Sequence, residues 1–444
     1  MKIIKLNIIF IFLVFTHLTF SQISQNVNLL YNWNEDSLIG SKEYNNIYNE
    51  IWGVVVDGRE YAIIGSTYGT HFFDVTTPEN SHEVGFVMGR VVGPEIIHRD
   101  YHDYEGYLYA VSDEGPSSLQ IIDISNLPDS LNVIYDSSDL FERSHNIFID
   151  SASARLYTTN GDIYSLDNPV DPKFVYNTPL LNCHDIYVQN DTAYINDGDQ
   201  GFKVVDFSQT SIENQNHELL GSLLSYPEQG YNHSGWISSD GNFYVMADET
   251  SGMRMKMLDI SNFSNIEVIA LFGSGVDVNS IPHNQVISGN YLYTAYYHDG
   301  LYVHDISNPS TPTLMAYYDT FEPNHHDSYM GAWGVYPFLP SGNILVSDMQ
   351  TGLYVFKVNY ENPLTFKEIS SNHNQVFPNP TNGIINLNLN SFSNVELFNI
   401  QGDKVFEAID VLDLQIQTNV FPNGIYFLKI NSNSVINSYK ISVQ

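Results

Sequence analysis

Asn182-Cys-His-Asp-Ile-Tyr-Val-Gln-Asn-Asp-Thr-Ala-Tyr-Ile-Asn-Asp-Gly-Asp-Gln-Gly-Phe-Lys-Val-Val-Asp206 reads as one unit. A polar start at His184-Asp185 leads into a run of β-branched and aromatic residues, which favour a pleated strand. Asn190-Asp191 is a turn pair, since both residues tolerate left-handed backbone. A second strand follows, then an acidic glycine turn at Asp197–Gly201 and a third strand from Phe202 to Asp206. The unit recurs along the chain, so the fold is read from the repetition.

Seven copies can be laid out at a spacing of roughly 40–50 residues, the period of propeller blades. They centre on Trp52, Arg99, His145, His184, His233, His283 and Trp333. Each supplies three strands, A, B and C. A fourth, D, follows six of them, near residues 82–87, 131–135, 173–176, 219–224, 266–271 and 312–318. Four antiparallel strands per copy predict a seven-bladed β-propeller in an all-β chain. The last copy lacks a D strand. Asn26–Asn32 is the expected donor, closing the ring and removing its open edges, with Pro363–Ile369 as the rival. Strand C ends on Asp74, Asp123, Asp167, Asp206, Asp259 and Asp305, which read as turn caps accepting backbone N–H groups.

Ile121-Ile-Asp-Ile-Ser125 and Val204-Val-Asp-Phe207, with their His-Asp or His-Asn starts, resemble LVIVD repeats. Ile51-Trp-Gly53, Arg59–Thr67, Val111–Gly115 and His145–Asp150 extend the likeness to the choice-of-anchor B proteins of bacteria, over about residues 25–360. The resemblance implies a secreted or surface propeller and brings no settled activity.

Both ends carry targeting signals. Lys2 and Lys5, the apolar run Ile8–Phe15 and Ser21-Gln22 make residues 1–21 a signal peptide. The mature protein is expected to have no transmembrane segment. Residues 22–365 form the propeller and 366–375 a linker. Residues 376–444 read as short strands punctuated by Pro, Asn and Gly, a small Ig-like β-sandwich. Pro378-Asn-Pro-Thr-Asn-Gly383, Leu397–Gly402 and Gly424–Ile430 resemble the type A sorting domain of the type IX secretion system. That resemblance implies the type IX secretion machinery as a partner and delivery through the periplasm to the outer surface or medium.

Composition narrows the partners. The net charge is −34, from 51 acids against 17 bases, which argues against nucleic acid and anionic lipid. Cys183 is the only cysteine, so the chain has no internal disulfide and relies on a large core. A free cysteine of this kind is usually a small buried hydrophobe.

In a propeller the strand-A starts and B–C turns share one rim. Counting back from strand B gives an inner ring of Trp52, Arg99, His145, His184, His233, His283 and Trp333, with His98 one place out of register. Acidic turns at Asp113-Glu114, Asp197, Asp248-Glu249, His298-Asp299 and Asp348 should surround it. A histidine at a blade start can simply hydrogen-bond the next blade and lock the two together. Four imidazoles on consecutive blades, His145, His184, His233 and His283, can also hold a divalent transition metal, with Asp185 or Asp248 ligating or orienting. A third reading is an anion or carbohydrate site, with Arg99 and the histidine ring as donors and Trp52, Trp236 and Trp333 as stacking faces. Calcium at the acidic turns is a fourth, though none is an EF-hand loop. The chain has no GxSxG and no phosphate loop. His298-Asp299 and His326-Asp327 are acid–base pairs of a kind common in a chain rich in both residues. The leading function is a binding or scaffold module for an extracellular ligand or protein. The competing one is a metal-assisted hydrolase or lyase at the histidine-lined channel mouth.

Overall fold

The computed structural model describes residues 24–35, 37–321, 326, 328–360, 375–400, 402–432 and 435–444. The signal peptide, the rival strand Pro363–Ile369, most of the linker and Asp327 lie outside them. The described residues fall into two compact units, divided between Asn362 and Pro363.

The first unit is seven antiparallel sheets, each with four strands in the order A-B-C-D; in blade 6 the short strand Ser24–Gln25 adds a fifth beside Thr313–Tyr318. The quoted stretch gives strand A at Asp185–Gln189, B at Thr192–Asn196 and C at Phe202–Asp206, with D at Glu218–Leu223. Asn190 and Asp191 both have positive φ, 51° and 59°, the two-residue turn whose twist matches a hairpin. Strand B is buried almost throughout, whereas strand D is mostly exposed. Apolar residues therefore run continuously along the inner strands and thin out at the rim.

Seven hydrophobic clusters fill the seven gaps between neighbouring blades. Tyr157 and Ile163 of blade 3, for example, pack on Val188 and Ala193 of blade 4. The cluster between blades 7 and 1 joins Leu345 and Val355 to Ile51 and Ile64. Stability thus resides between blades, which no disulfide is needed to hold. Val27–Trp33 pairs with strand C of blade 7, Leu29 opposite Phe356, and closes the ring with the N-terminal segment. The terminal Asp of strand C accepts the N–H two residues on at Asp74, Asp123, Asp206, Asp259 and Asp305. Asp167 differs: the Ser165 hydroxyl donates to it.

The second unit is one five-stranded sheet. Where the sequence suggests short strands at 384–389, 395–399 and 405–408, two long ones form, Ile384–Phe398 and Lys404–Gln417. Their pairing is interrupted between Asn388 and Ser393. That break lets the sheet bend, so Ile385 and Leu387 from one half meet Val395, Leu428 and Ile441 from the other in a single core.

Candidate functional site: a three-layered central channel

Strand A of each blade lines the axis, and its inward side chains form three stacked layers. The first is a closed ring of aromatic side chains at the rim that carries the B–C turns. His98, His145, His184, His233, His283 and Trp333 follow one another with ring centroids 4.7, 4.4, 4.0, 4.4 and 4.4 Å apart. His98 and Trp333 close the circle at 5.2 Å, bypassing blade 1.

This ring differs from the one obtained by counting. His98 belongs to it, and Arg99 and Trp52 do not. Strand A of blade 2 is regular from Arg99 to Tyr104, so His98, Asp100 and His102 alternate inward while Arg99 points away. The Arg99 guanidinium is 5% exposed as a residue and donates to the carbonyls of Ser66 at 2.8 Å and Val91 at 2.8 Å. It ties blade 2 to blade 1. In blades 1, 5, 6 and 7 a bulge near the start of strand A breaks the alternation. In blades 5, 6 and 7 two successive residues then face the axis, a histidine or Trp333 followed by a polar residue or glycine.

The second layer comprises Glu50, Asp100, Asn146, Asp185, Ser234 and Asn284. Blade 7 contributes Gly334, where an added Cβ would lie 2.1 Å from Glu50 Oε1. Glu50 accepts the Ile51 N–H at 2.9 Å and the Asn284 amide at 2.8 Å. Asp100 accepts the Ile147 N–H of the next blade at 2.7 Å. Asp185 accepts the Ile186 N–H at 2.8 Å and the Asn146 amide at 3.0 Å. Burial raises the pKa of all three carboxyls: Glu50 to about 7, Asp185 to about 6, and Asp100 well above the carboxylate range, with the Glu50 charge adding to it.

The third layer is aromatic and forms the opposite mouth. Trp52, His102, Phe148, Tyr187 and Trp236 stand 4.7, 5.0, 4.9 and 4.7 Å apart. Blade 6 offers only Val286, and Phe338 spans the gap, 5.8 Å from Trp236 and 5.4 Å from Tyr336. Tyr336 returns to Trp52 at 5.2 Å. Burial lowers the pKa of His102, so this wall is uncharged. The second and third layers line one cavity of about 90 Å³. No lysine or arginine lines it among the described residues.

Of the acidic turns, only those of blades 2 and 5 reach the histidine ring. His98 Nδ1 lies 2.5 Å from Glu114 Oε1, and His145 Nδ1 lies 2.9 Å from Asp113 Oδ2. Burial opposes charge on His145, but Asp113 outweighs it and raises the imidazole pKa. The remaining imidazoles are held neutral. Burial drives His184 and His233 well below the usual histidine range and His283 to about 3. His184 Nδ1–H donates to the His233 carbonyl at 3.0 Å, and His283 Nδ1–H to the Trp333 carbonyl at 2.5 Å. Both are therefore blade locks as well as ring members. Burial pushes Glu249 up to about 7, and it accepts the Tyr297 hydroxyl at 2.5 Å.

The other turns serve the fold. Asp197 pairs with Lys203, Asp248 with the fully buried Lys256, and Asp348 accepts the Thr320 hydroxyl and the Gln350 and Thr351 N–H groups. Asp299 meets His326 at 2.6 Å, and His298 donates to the Ser328 carbonyl. Cys183 is half-buried at the histidine mouth, where burial raises its pKa and keeps it a thiol.

The ligand candidates therefore divide. Trp52, Trp236 and Asp185 share the aromatic cavity, Trp333 stands in the histidine ring, and Arg99 faces neither mouth. The aromatic layer as a whole escapes a sequence reading centred on strand-A starts. Its signal is the aromatic or His three or four residues further on, at His102, Phe148, Tyr187, Trp236 and Tyr336.

Seven four-stranded blades around a lined axis define a β-propeller with a central channel. The β-propeller domain of Cps50 (Swd1) from Myceliophteria thermophila is similar, with a TM-score of 0.50 and 10% identity over 75% of this chain and 100% of that one. The RRP9 WD40 repeats give a TM-score of 0.49 and 8% identity over 75% of this chain and 98% of that one. At 10% identity the first likeness is one of fold alone. No curated protein matches the chain. Residues 103–133, 182–214 and 284–320 match the LVIVD repeat. Residues 375–444 match the secretion system C-terminal sorting domain. The chain is an LVIVD-repeat propeller with a C-terminal type IX sorting domain, exported to the outer surface or released from it. No helix among the described residues is long and apolar enough to cross a membrane.

Proposed function

We propose that this exported propeller is a binding module whose ligand seat is the aromatic mouth, and that the ligand carries a small organic ammonium group. One observation carries the reading: three carboxyl groups without a basic partner form the floor of a cavity walled by Trp52, His102, Phe148, Tyr187 and Trp236. Aromatic faces attract a cation by roughly 0.5–2 kcal/mol each, more when water is excluded. The carboxyls are uncomfortable as bare anions because burial removes their water, and a bound cation supplies the missing counter-charge. Charge favours the same ligand class at longer range, since the whole chain carries −34.

Calorimetric titration of the mature protein with tetramethylammonium chloride tests this. Saturable binding is expected, weakened at least about tenfold in Trp236→Ala and accompanied by proton release as the carboxyls ionise. Binding of a neutral methyl glucoside instead of the ammonium ion would overturn the cationic reading. Binding of neither would remove the aromatic mouth as the seat.

A further inference from the structure

The histidine mouth contains two groups of two imidazoles and one carboxylate, and they are not alike. His98, His145 and Asp113 form one, and His184, His233 and Glu249 the other; in each, the donor atoms lie within 4.8 Å of one another. In the first group the donors already satisfy each other or a neighbour. His145 is hydrogen-bonded to Asp113, and His98 to Glu114.

The second group is left open. His233 is 3% exposed, and its Nδ1 is buried with no hydrogen-bond partner. Its Nε2 faces Glu249 Oε2 at 3.8 Å, too far for a hydrogen bond. Leaving a buried imidazole unpartnered costs free energy that a ligand can recover. His184 is oriented for ligation. Its Nδ1–H is fixed by the His233 carbonyl, so the Nε2 lone pair is free, the arrangement in which a second hydrogen bond sets a metal-binding histidine. Glu249 is likewise positioned through Oε1 by the Tyr297 hydroxyl, leaving Oε2 toward His233.

We infer that His184, His233 and Glu249 bind one divalent transition metal ion of the zinc class. Two neutral imidazoles and a carboxylate are a donor set such ions favour, and harder ions such as calcium prefer oxygen alone. Three protein ligands leave a coordination position free, and the mouth beside them is open to solvent and lined by Cys183, Tyr231, Thr250 and Tyr329. That is the form of a site that exchanges ligands, whereas a structural zinc site is closed by four protein donors. The site lies at the opposite end of the channel from the aromatic cavity, and its test is independent of that reading.

The test uses the full mature chain, purified without a histidine tag and stripped with a chelator. Equilibrium dialysis against zinc chloride should return one zinc per chain. Cobalt(II) in its place should give the intense visible absorption of a low-coordinate N,O site. His233→Gln and Glu249→Gln should each weaken zinc binding at least about tenfold, and His98→Gln should leave it unchanged. Thermal melts of each variant establish that the propeller is folded. Absence of stoichiometric zinc in the folded wild-type chain overturns the inference. So does undiminished zinc in both ligand variants, or loss of zinc only in His98→Gln.

Discussion

At the histidine mouth, imidazoles from five consecutive blades sit beside carboxylates delivered by the B–C turns. At the other mouth, residues from the same strands make an uncharged aromatic wall with carboxyls beneath it. The two surfaces are separated by only a few residues of strand A. One strand thus presents two chemistries because successive inward positions are stacked along the axis. A ligand suited to one mouth is not suited to the other, so substitutions can silence either end separately.

The largest expected effect is on the histidine mouth. Lys256 and Asp248 are both fully buried and 2.8 Å apart, and Asp248 precedes Glu249. Lys256→Ala leaves a buried carboxylate without its cation, a loss of about 3–5 kcal/mol in urea unfolding. Zinc uptake should fall with it, while tetramethylammonium binding persists in whatever fraction stays folded. Equal loss at both mouths would show that the two ends are not separable.

Gly334→Ala strikes the layer between them. Its Cβ would press on Glu50 Oε1 at 2.1 Å and on Ile51 Cγ2 at 3.0 Å. Glu50 cannot retreat without giving up the Asn284 amide and the Ile51 N–H. A cost of about 3 kcal/mol is expected, the upper end for overpacking, with ammonium binding weakened more than zinc binding. A melting temperature equal to the wild type would show that the layer is looser than described.

The aromatic mouth has its own pH signature. Glu50 titrates near 7 rather than its ordinary 4.5, chiefly through burial, with Asp185 adding repulsion and the hydrogen bonds from Ile51, Trp333 and Asn284 opposing. Between these values the folded chain keeps a proton the unfolded chain has released, so this group's contribution falls as pH rises from 4.5 to 7 and stays low above. A shift of that size corresponds to about 3 kcal/mol. Glu50→Gln should flatten that part of the stability profile, read as urea midpoints at pH 5 and pH 8. An unchanged slope would show that Glu50 is not the group responsible.

The smallest expected effect tests the rim. Trp52 Nε1–H donates to Asp103 Oδ1 at 2.8 Å. Trp52→Phe keeps an aromatic face and loses that hydrogen bond, costing about 1 kcal/mol. Ammonium affinity should drop only a few-fold and zinc affinity not at all. A complete loss of ammonium binding would mean that the indole N–H itself contacts the ligand.

Repetition in the sequence determined the blades. Asn190-Asp191 specified its hairpin, the Tyr/Val/Ile runs specified inner strands, and the missing seventh D strand pointed to the N-terminal donor. These are local or periodic features, and local physics decides them. The identity of the ring was not local. Whether Arg99 or His98 faces the axis depends on an unbroken alternation in blade 2, and the double inward step of blades 5–7 depends on bulges. A bulge forms where neighbouring strands accommodate an extra residue, which no count along one strand can register. The same holds for the unsatisfied His233 and the carboxyls gathered from blades 1, 2 and 4. Their chemistry arises from desolvation and from partners brought by other blades, so only closure of the ring creates it.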